Sequence, residues 1–265
     1  MLAKAREAFN RNSEQERYWI WTSTTTRTIL DKSGKAVETI PSITVESPIR
    51  GDGKRCSAVL AWGDGLAPYL ANASAEERCK VQEEIPPTFR MEAILQAEHA
   101  KVKARTDAEI TLAILPDKQT PSDADGPTRC AGSVEGTVGL DPETFFPKRV
   151  DLKVVGQGCK LSQTDVEDHY GGATVRASGG LLKGSQIETT YELQKDKTGD
   201  ASRNYWIAVR QRRDQPLAKN VAAIVVSGRV FHLASKGQER RAVLETSTQA
   251  SEVSTQSKVT FEISK

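Results

Sequence analysis

The stretch 131–155 has apolar residues at alternate positions, which is the period of a strand with one buried face. The segment Asp141-Pro142-Glu143-Thr144 interrupts this alternation and favours a turn, because a short acceptor side chain precedes a proline whose φ is already fixed. We therefore predict an antiparallel hairpin with one face exposed to water. Its inward-facing residues are Val134, Gly136, Val138, Leu140, Val150, Leu152 and Val154.

The same period of two predicts strands on both sides of this hairpin. A weaker alternation at 89–95 favours a strand but fits a short helix almost as well. Pro41 is expected at a β-bulge or on an edge, since proline cannot donate to a strand ladder. The other predicted strands cover 16–30, 37–45, 55–62, 110–114, 185–194, 221–233, 240–245 and 258–263, and one starts at Tyr205.

In the strand that starts at Tyr205, alternation predicts which side chains share a face. Tyr205, Ile207 and Val209 are expected to point inward. Trp206, Arg210 and Arg212 are expected together on the opposite face, where they would snorkel or bind a partner. The strip formed by Arg210, Arg212 and Arg213 is expected to be solvated.

Two helices and one long connection complete the pattern. The segment 2–11 places Leu2, Ala5 and Phe9 on one helical face, so this short helix must dock to persist. A capping box at Ser74-Ala75-Glu76-Glu77 predicts a helix within an insertion at about 64–86. The glycine-rich segment 156–183 lacks a clear period and contains Asp168-His169-Tyr170, which makes it a candidate mobile gate.

Together these elements predict an α+β protein that is predominantly β. About ten strands would form one strongly curved antiparallel sheet, a half barrel, with an N-terminal helix and a helical insertion. No internal repeat or linker divides the chain, so we expect a single domain over 1–265.

The central hairpin also resembles a known family. The run Gly-Thr-Val-Gly-Leu-Asp-Pro-Glu-Thr at 136–144, followed by a strand near Arg149, is similar to the hairpin of the periplasmic lipoprotein carriers of the LolA/LolB-like superfamily. An N-terminal helix, long paired strands and a late Tyr-Trp-Ile at 205–207 resemble bacterial members of that group. The resemblance implies a sheet curled around an apolar cavity.

Composition narrows the classes of partner. Charged residues make up 27% of the chain and the net charge is only +2, so no basic surface for nucleic acid is expected. Apolar runs such as 221–226 are too short to cross a bilayer. Met1 precedes a polar helix rather than an apolar signal core. The protein is therefore either cytoplasmic, or exported by a signal that this sequence no longer contains.

The four cysteines favour the exported alternative. They are widely separated and form no C-x-x-C pair, which argues against structural zinc. We expect disulfides between Cys56 and Cys79 and between Cys130 and Cys159, each stabilising the fold by roughly 3 to 3.5 kcal/mol. The alternative is four buried free thiols in a cytosolic protein.

No motif for catalysis, metal or cofactor binding stands out. His99, His169 and His232 are isolated from one another and fit no metal-ligand spacing. The glycines at 51–53 lack the spacing of a phosphate loop, and Thr128 occupies the position where a calcium loop needs glycine. We therefore expect a protein without cofactor or catalytic residues.

Aromatic residues remain as candidates for ligand binding, although each of them could simply pack the core. We predict a non-enzymatic exported carrier or sensor that holds a lipid or a lipidated protein in an apolar cavity. The alternative is a cell-envelope interaction protein with a filled β core that acts through loops and strand edges on a protein partner. The candidate ligand-binding residues are Trp19, Trp21, Trp62, Tyr69, Phe89 and Trp206.

Overall fold

The computed structural model describes residues 1–15, 18–47, 58–62, 91–96, 98–116, 128–161, 183–216, 224–226, 229–231 and 241–252. Two α-helices and twelve strands lie in these ranges, and neither helix is long and apolar enough to span a membrane. The elements are α1 (Leu2–Gln15), β1 (Trp19–Leu30), β2 (Ala36–Ser47), β3 (Ala58–Trp62), α2 (Met91–Ile94), β4 (Ala100–Arg105), β5 (Ile110–Ile114), β6 (Thr128–Leu140), β7 (Pro147–Leu161), β8 (Gln186–Gln194), β9 (Tyr205–Pro216), β10 (Ile224–Val226), β11 (Arg229–Phe231) and β12 (Arg241–Glu252).

Ten of the strands form one open antiparallel sheet in the order β3-β2-β1-β12-β9-β8-β7-β6-β5-β4. The order confirms the predicted fold class, a predominantly β protein built on one large antiparallel sheet. The last described strand, β12, lies between β1 and β9, so it joins the first three strands to the rest. The strands β3 and β4 are the two edges of this sheet.

The predicted central hairpin is β6 paired with β7. Val138 and Leu140 of β6 and Val154 of β7 are completely buried, as the alternation predicts. The strand β7 continues to Leu161, so the predicted unstructured connection does not begin at 156. The rest of that proposed gate, including Asp168-His169-Tyr170, lies outside the described residues.

The turn of this hairpin is held by Asp141. Its Oδ1 accepts hydrogen bonds from the backbone N–H and the hydroxyl of Thr144, both at 2.8 Å. The next residue, Phe145, has a φ of 61°, a conformation that glycine or asparagine usually supplies. The turn therefore delivers Phe146, which is 1% exposed, into the interior.

The interior lies between the helices and the strands β4 to β8. Ala5 of α1 and Met91, Ile94 and Leu95 of α2 pack against the buried side chains of the sheet. The helix predicted at 2–11 is confirmed as α1, which continues to Gln15. The predicted strand at 89–95 is wrong, because Met91, Ile94 and Leu95 are buried at the i, i+3, i+4 spacing of a helix.

Two other segments differ from the expectation. The edge strand β4 was not predicted. Its apolar residues alternate with Lys101, Lys103 and Arg105, but two of the three are alanines and five of the six residues are exposed. The segment 221–233 is not one strand of the main sheet, since β10 and β11 pair with each other in a separate hairpin. The predicted helix at 74–77 and the strand at 258–263 lie outside the described residues, and so does the whole insertion at 64–86.

The bulge expected near Pro41 is confirmed. Thr25 and Arg27 of β1 pair with Ile43 and Ile40 of β2, so two β2 residues face a single β1 residue at this point.

The close approach of β6 and β7 at Gly136 can be tested by substitution. Gly136 has a φ of 146°, and an added Cβ would overlap the carbonyl oxygen of Asp151 on β7. We expect Gly136→Ala to lower the free energy of unfolding by about 3 kcal/mol, because backbone cannot yield as a side chain can. Urea unfolding measures it. The control Gly34→Ala, at φ 81° with no neighbour within 4 Å, should cost only about 1 kcal/mol; equal losses would contradict the packing.

An ion pair across the sheet predicts a pH dependence. The Arg149 guanidinium donates to Glu109 at 2.6 Å, and this hydrogen bond lowers the pKa of the Glu109 carboxyl below its ordinary 4.5. Because the folded pKa is lowered, the stabilisation is full above about pH 4.5 and is lost as the pH falls through the folded pKa. Urea midpoints of wild type and Glu109→Gln should therefore converge between roughly pH 6 and 3. A difference between the two midpoints that does not change with pH would contradict the stabilising role of this ion pair.

Candidate functional site

Three stacked rings join β1 to β9, and we call them the aromatic seam: Trp19, Trp21 and Tyr205. The ring of Tyr205 lies 6.5 Å from that of Trp19 at 23° and 6.2 Å from that of Trp21 at 6°. Trp19 and Tyr205 are buried, whereas Trp21 is only half-buried. The seam therefore combines a rigid apolar base with one partly accessible ring. Its apolar neighbours are Tyr18, Ile207, Val209 and Ala250.

The seam bridges a place where two neighbouring strands separate. The pairing of β12 with β9 ends at Ser247 and Arg210, while β12 continues along β1 to Glu252. The first part of β9, which carries Tyr205 and Ile207, is thus paired with β8 on one side and not with β12 on the other. Stacked rings, rather than backbone hydrogen bonds, hold the sheet together there.

A side chain of α1 takes the place of the missing strand partner. The Asn12 amide Nδ2 donates to the carbonyl oxygen of Trp206 at 2.9 Å, and the backbone N–H of Trp206 donates to Asn12 Oδ1 at 2.7 Å. An amide group makes the same two bonds that a peptide group of a neighbouring strand would make. This contact satisfies the backbone of β9 and fixes the end of α1 at the point where β12 departs.

A buried ion pair holds the tip of the β8–β9 hairpin against the seam. Asp196 has a fully buried side chain, and its Oδ1 lies 3.3 Å from the Arg203 guanidinium. The guanidinium also lies over the Tyr18 ring, 4.7 Å from its centre, and the carbonyl of Arg203 accepts from Trp19 Nε1 at 3.2 Å. Backbone and side-chain contacts of Arg203 thus position Tyr18 and Trp19.

A second aromatic group surrounds Phe146 in the interior. The rings of Phe9 and Trp206 stack on it at 6.0 and 5.0 Å, and Tyr191 meets it edge-on at 5.3 Å. Burial raises the pKa of the Tyr191 hydroxyl to about 12, so this hydroxyl stays neutral. The group ties α1, β8 and β9 to the turn of the central hairpin.

The expectation that Trp206 shares a face with Arg210 is wrong. A register shift between Thr190 and Tyr191 places Trp206 and Ala208 on the side of Leu193 and Tyr191, facing the core. Beyond the shift, Arg210 lies on the opposite side with Thr190. A one-residue bulge exchanges the faces of a strand, and simple alternation cannot reveal it.

The structure therefore divides the predicted ligand-binding residues. Trp19 and Trp21 belong to the aromatic seam, and Trp206 belongs to the Phe146 group. Trp62 ends β3, with only its backbone described, and Tyr69 and Phe89 lie outside the described residues. The alternation in β9 predicts that Tyr205 points inward, but it does not show that Tyr205 stacks on both tryptophans. The residues Asn12, Asp196 and Arg203 carried no recognisable signal.

The opposite face of β8 and β9 is polar. A cavity of about 360 Å³ there is lined by Gln186, Glu188, Arg210, Arg212 and Asp214. Arg212 pairs with Glu245 at 2.6 Å, and Asp214 pairs with Arg241 at 2.9 Å. Neighbouring carboxylates thus neutralise part of the positive charge of the predicted basic strip. In the part of the chain that the structure describes, no three His, Cys, Asp or Glu residues are grouped as metal ligands would be.

Comparison with known proteins gives only structural matches. No protein-family model matches the sequence, and no curated protein matches it significantly. The chain is similar to a domain from Vibrio parahaemolyticus that carries the name of an outer membrane lipoprotein-sorting protein, at 11% identity and a TM-score of 0.33 over 97% of this chain and 96% of that one.

Two further structures show the same level of similarity. A DUF1329 family protein from Desulfovibrio piger is 11% identical with a TM-score of 0.32, over 96% of this chain and 95% of that one. A LolA superfamily protein from Nitrosomonas europaea is 10% identical with a TM-score of 0.32, over 94% of each chain. The strand order of this chain itself defines its fold.

The buried ion pair provides a test of how the seam is positioned. We expect Asp196→Asn to lower the free energy of unfolding by about 3 kcal/mol or more, because Arg203 would keep a buried charge without its partner. Tryptophan fluorescence should shift to longer wavelength as water reaches Trp19. Thermal unfolding and emission spectra measure the two effects.

The same hairpin tip offers a matched control. Asp200 accepts hydrogen bonds from the backbone N–H and hydroxyl of Ser202 at an exposed position. The variant Asp200→Asn makes the identical chemical change without exposing a buried charge, so its effect should be much smaller. If both variants unfolded alike, the ion pair would not be what positions the seam.

Proposed function

We propose that the protein is a non-enzymatic carrier or sensor of a lipid or of a lipidated protein, and that an acyl chain lies against the aromatic seam. The observation that carries the proposal is the half-buried ring of Trp21, held nearly parallel to Tyr205 at a place where β9 and β12 separate. A flat apolar ring with a rigid support suits a hydrocarbon chain better than a polar ligand.

The surface next to the seam supports the same ligand class. On the face of β1 that carries Trp21, Ser23 and Thr25 come next. Their hydroxyls lie 3.0 Å and 2.7 Å from those of Thr248 and Thr246 on β12. Because each hydroxyl has a partner across the strands, this face carries no unsatisfied polar group of these four residues to repel an apolar chain.

The packing of the interior argues for the seam rather than the region beneath α1 and α2. Under α1 and α2, Leu95, Leu112 and Val138 are completely buried, and side chains fill this region. An acyl chain there would have to displace close-packed atoms, which is costly. The seam, with its partly accessible ring, needs no such displacement.

The resemblance of the central hairpin to the lipoprotein carriers supports the proposed partner and location. It favours an acylated protein or a free lipid as partner and the periplasm as location, with the cytoplasm as the alternative. In this proposal the protein uses neither a cofactor nor a catalytic residue.

A second candidate function is an envelope interaction protein with a filled β core. The exposed edge strand β4 favours it, because Val102 is 54% exposed and the residues after Ala100 are all accessible. Such an edge can add an extended segment of another protein. This candidate requires no affinity for acyl chains, so ligand binding separates the two.

The proposal predicts that a spin-labelled stearic acid binds the full chain and quenches its tryptophan emission. We expect Trp21→Ala to weaken this binding at least about tenfold, because the variant loses a large apolar contact surface. The matched control Val102→Ala removes an exposed apolar side chain at the distant edge and should bind as wild type does. A synthetic acylated peptide and oleic acid as competitors distinguish a lipidated protein from a free lipid.

Two results would overturn the carrier proposal. One is the absence of any saturable quenching by the labelled fatty acid in the folded wild-type chain. The other is undiminished binding by Trp21→Ala, which would place the acyl chain away from the seam. Circular dichroism of each variant shows whether its fold is intact.

A further inference from the structure

Two of the four cysteines face each other in the central hairpin. Cys130 of β6 and Cys159 of β7 are Cα partners in the register of this antiparallel pair. Directly opposed residues in such a pair have Cα atoms about 4.5 to 5.5 Å apart, which is within the range that a disulfide spans.

The end of the hairpin that contains these cysteines is rich in glycine. Between Cys130 and the buried Val134 the strand β6 carries Ala131, Gly132 and Ser133, and β7 contributes Gly156 and Gly158. Glycine-rich strands specify their register weakly, because they have no side chains to lock one alignment. The register also shifts between Cys130 and Gly132, so the two ends of the hairpin are not held by one continuous ladder.

We propose that Cys130 and Cys159 form a cross-strand disulfide that fixes the register of this outer end of the hairpin. The two thiols lose two protons and two electrons as the sulfur–sulfur bond forms. A disulfide oxidant, either glutathione disulfide or a protein disulfide, accepts them by thiol–disulfide exchange and becomes two thiols. A chain that carries this bond acquires it in an oxidising compartment.

The position of the bond determines what its reduction changes. The inner part of the hairpin is held by Val138, Leu140, Val150 and Val154, all of them buried. These contacts do not depend on the cysteines, so the core remains folded after reduction. Only the outer end, 128–133 and 156–161, loses its constraint. The bond is thus a local redox-sensitive element rather than a general requirement for folding.

The decisive experiment uses the full chain with Cys56→Ser and Cys79→Ser, which leaves a single possible intramolecular bond. After exposure to glutathione disulfide, we expect no free thiol in denaturant and two thiols per chain after reduction. Non-reducing gels confirm that the chain is monomeric. Hydrogen exchange should increase upon reduction at 128–133 and 156–161 and stay unchanged at 134–140 and 147–154.

Peptide mapping of the wild-type chain without reductant tests the proposal independently, in case the double variant fails to fold. The expected fragment links a peptide containing Cys130 to one containing Cys159. Two free thiols that persist in glutathione disulfide, a bond from either residue to Cys56 or Cys79, or only mixed disulfides with glutathione would each overturn the proposal. Reduction that loosens the whole hairpin equally would contradict the local role of the bond.

Discussion

The placement of Phe146 is the constraint on which the arrangement of helix and sheet depends. Its ring is 1% exposed and contacts aromatic side chains from α1, β8 and β9 at centroid distances of 5.0 to 6.0 Å. The Asp141 turn and the left-handed conformation of Phe145 set its position. A short, polar helix such as α1 is not stable alone in water, so it forms where this ring offers a surface for Phe9.

Docking of α1 also places Asn12 next to β9, on the side of the Phe146 group that lies towards the aromatic seam. Because Phe9 and Asn12 lie three residues apart, one helical face reaches both the Phe146 ring and the backbone of Trp206. The bonds from Asn12 satisfy β9 where β12 leaves it, and stacking of Trp19 and Trp21 on Tyr205 joins the sheet beyond that point. The hairpin turn, the helix and the aromatic seam are therefore one connected arrangement.

The sequence predicted the elements whose burial follows a simple period. The central hairpin, β5 and α1 all have apolar residues at regular spacing and exist where the sequence predicts them, although α1 and β7 extend beyond their predicted ends. The strand β4 alternates too, but with two alanines and an exposed valine as its apolar residues the signal is weak, since an edge strand with lysines and arginine on it is exposed on most sides. The division of the predicted tryptophans between two groups depends on the register shift opposite Tyr191, which leaves no trace in a pattern of alternation. The pairing of Asn12 with Trp206 spans 194 residues, and no local signal can predict a contact of that range.

The division of the aromatic residues bears on where the proposed apolar ligand would lie. Had all the tryptophans joined the Phe146 group, they would have lined a space that α1 and α2 already fill with Ala5, Leu95 and their neighbours. The bulge in β9 instead leaves Tyr205 with Trp19 and Trp21, at a place where two strands are joined by rings and not by a hydrogen-bond ladder. Separating stacked rings breaks no backbone hydrogen bond, whereas opening a paired ladder leaves several groups unsatisfied. The seam is therefore a place in the described sheet where separating two neighbouring strands breaks no backbone hydrogen bond between them.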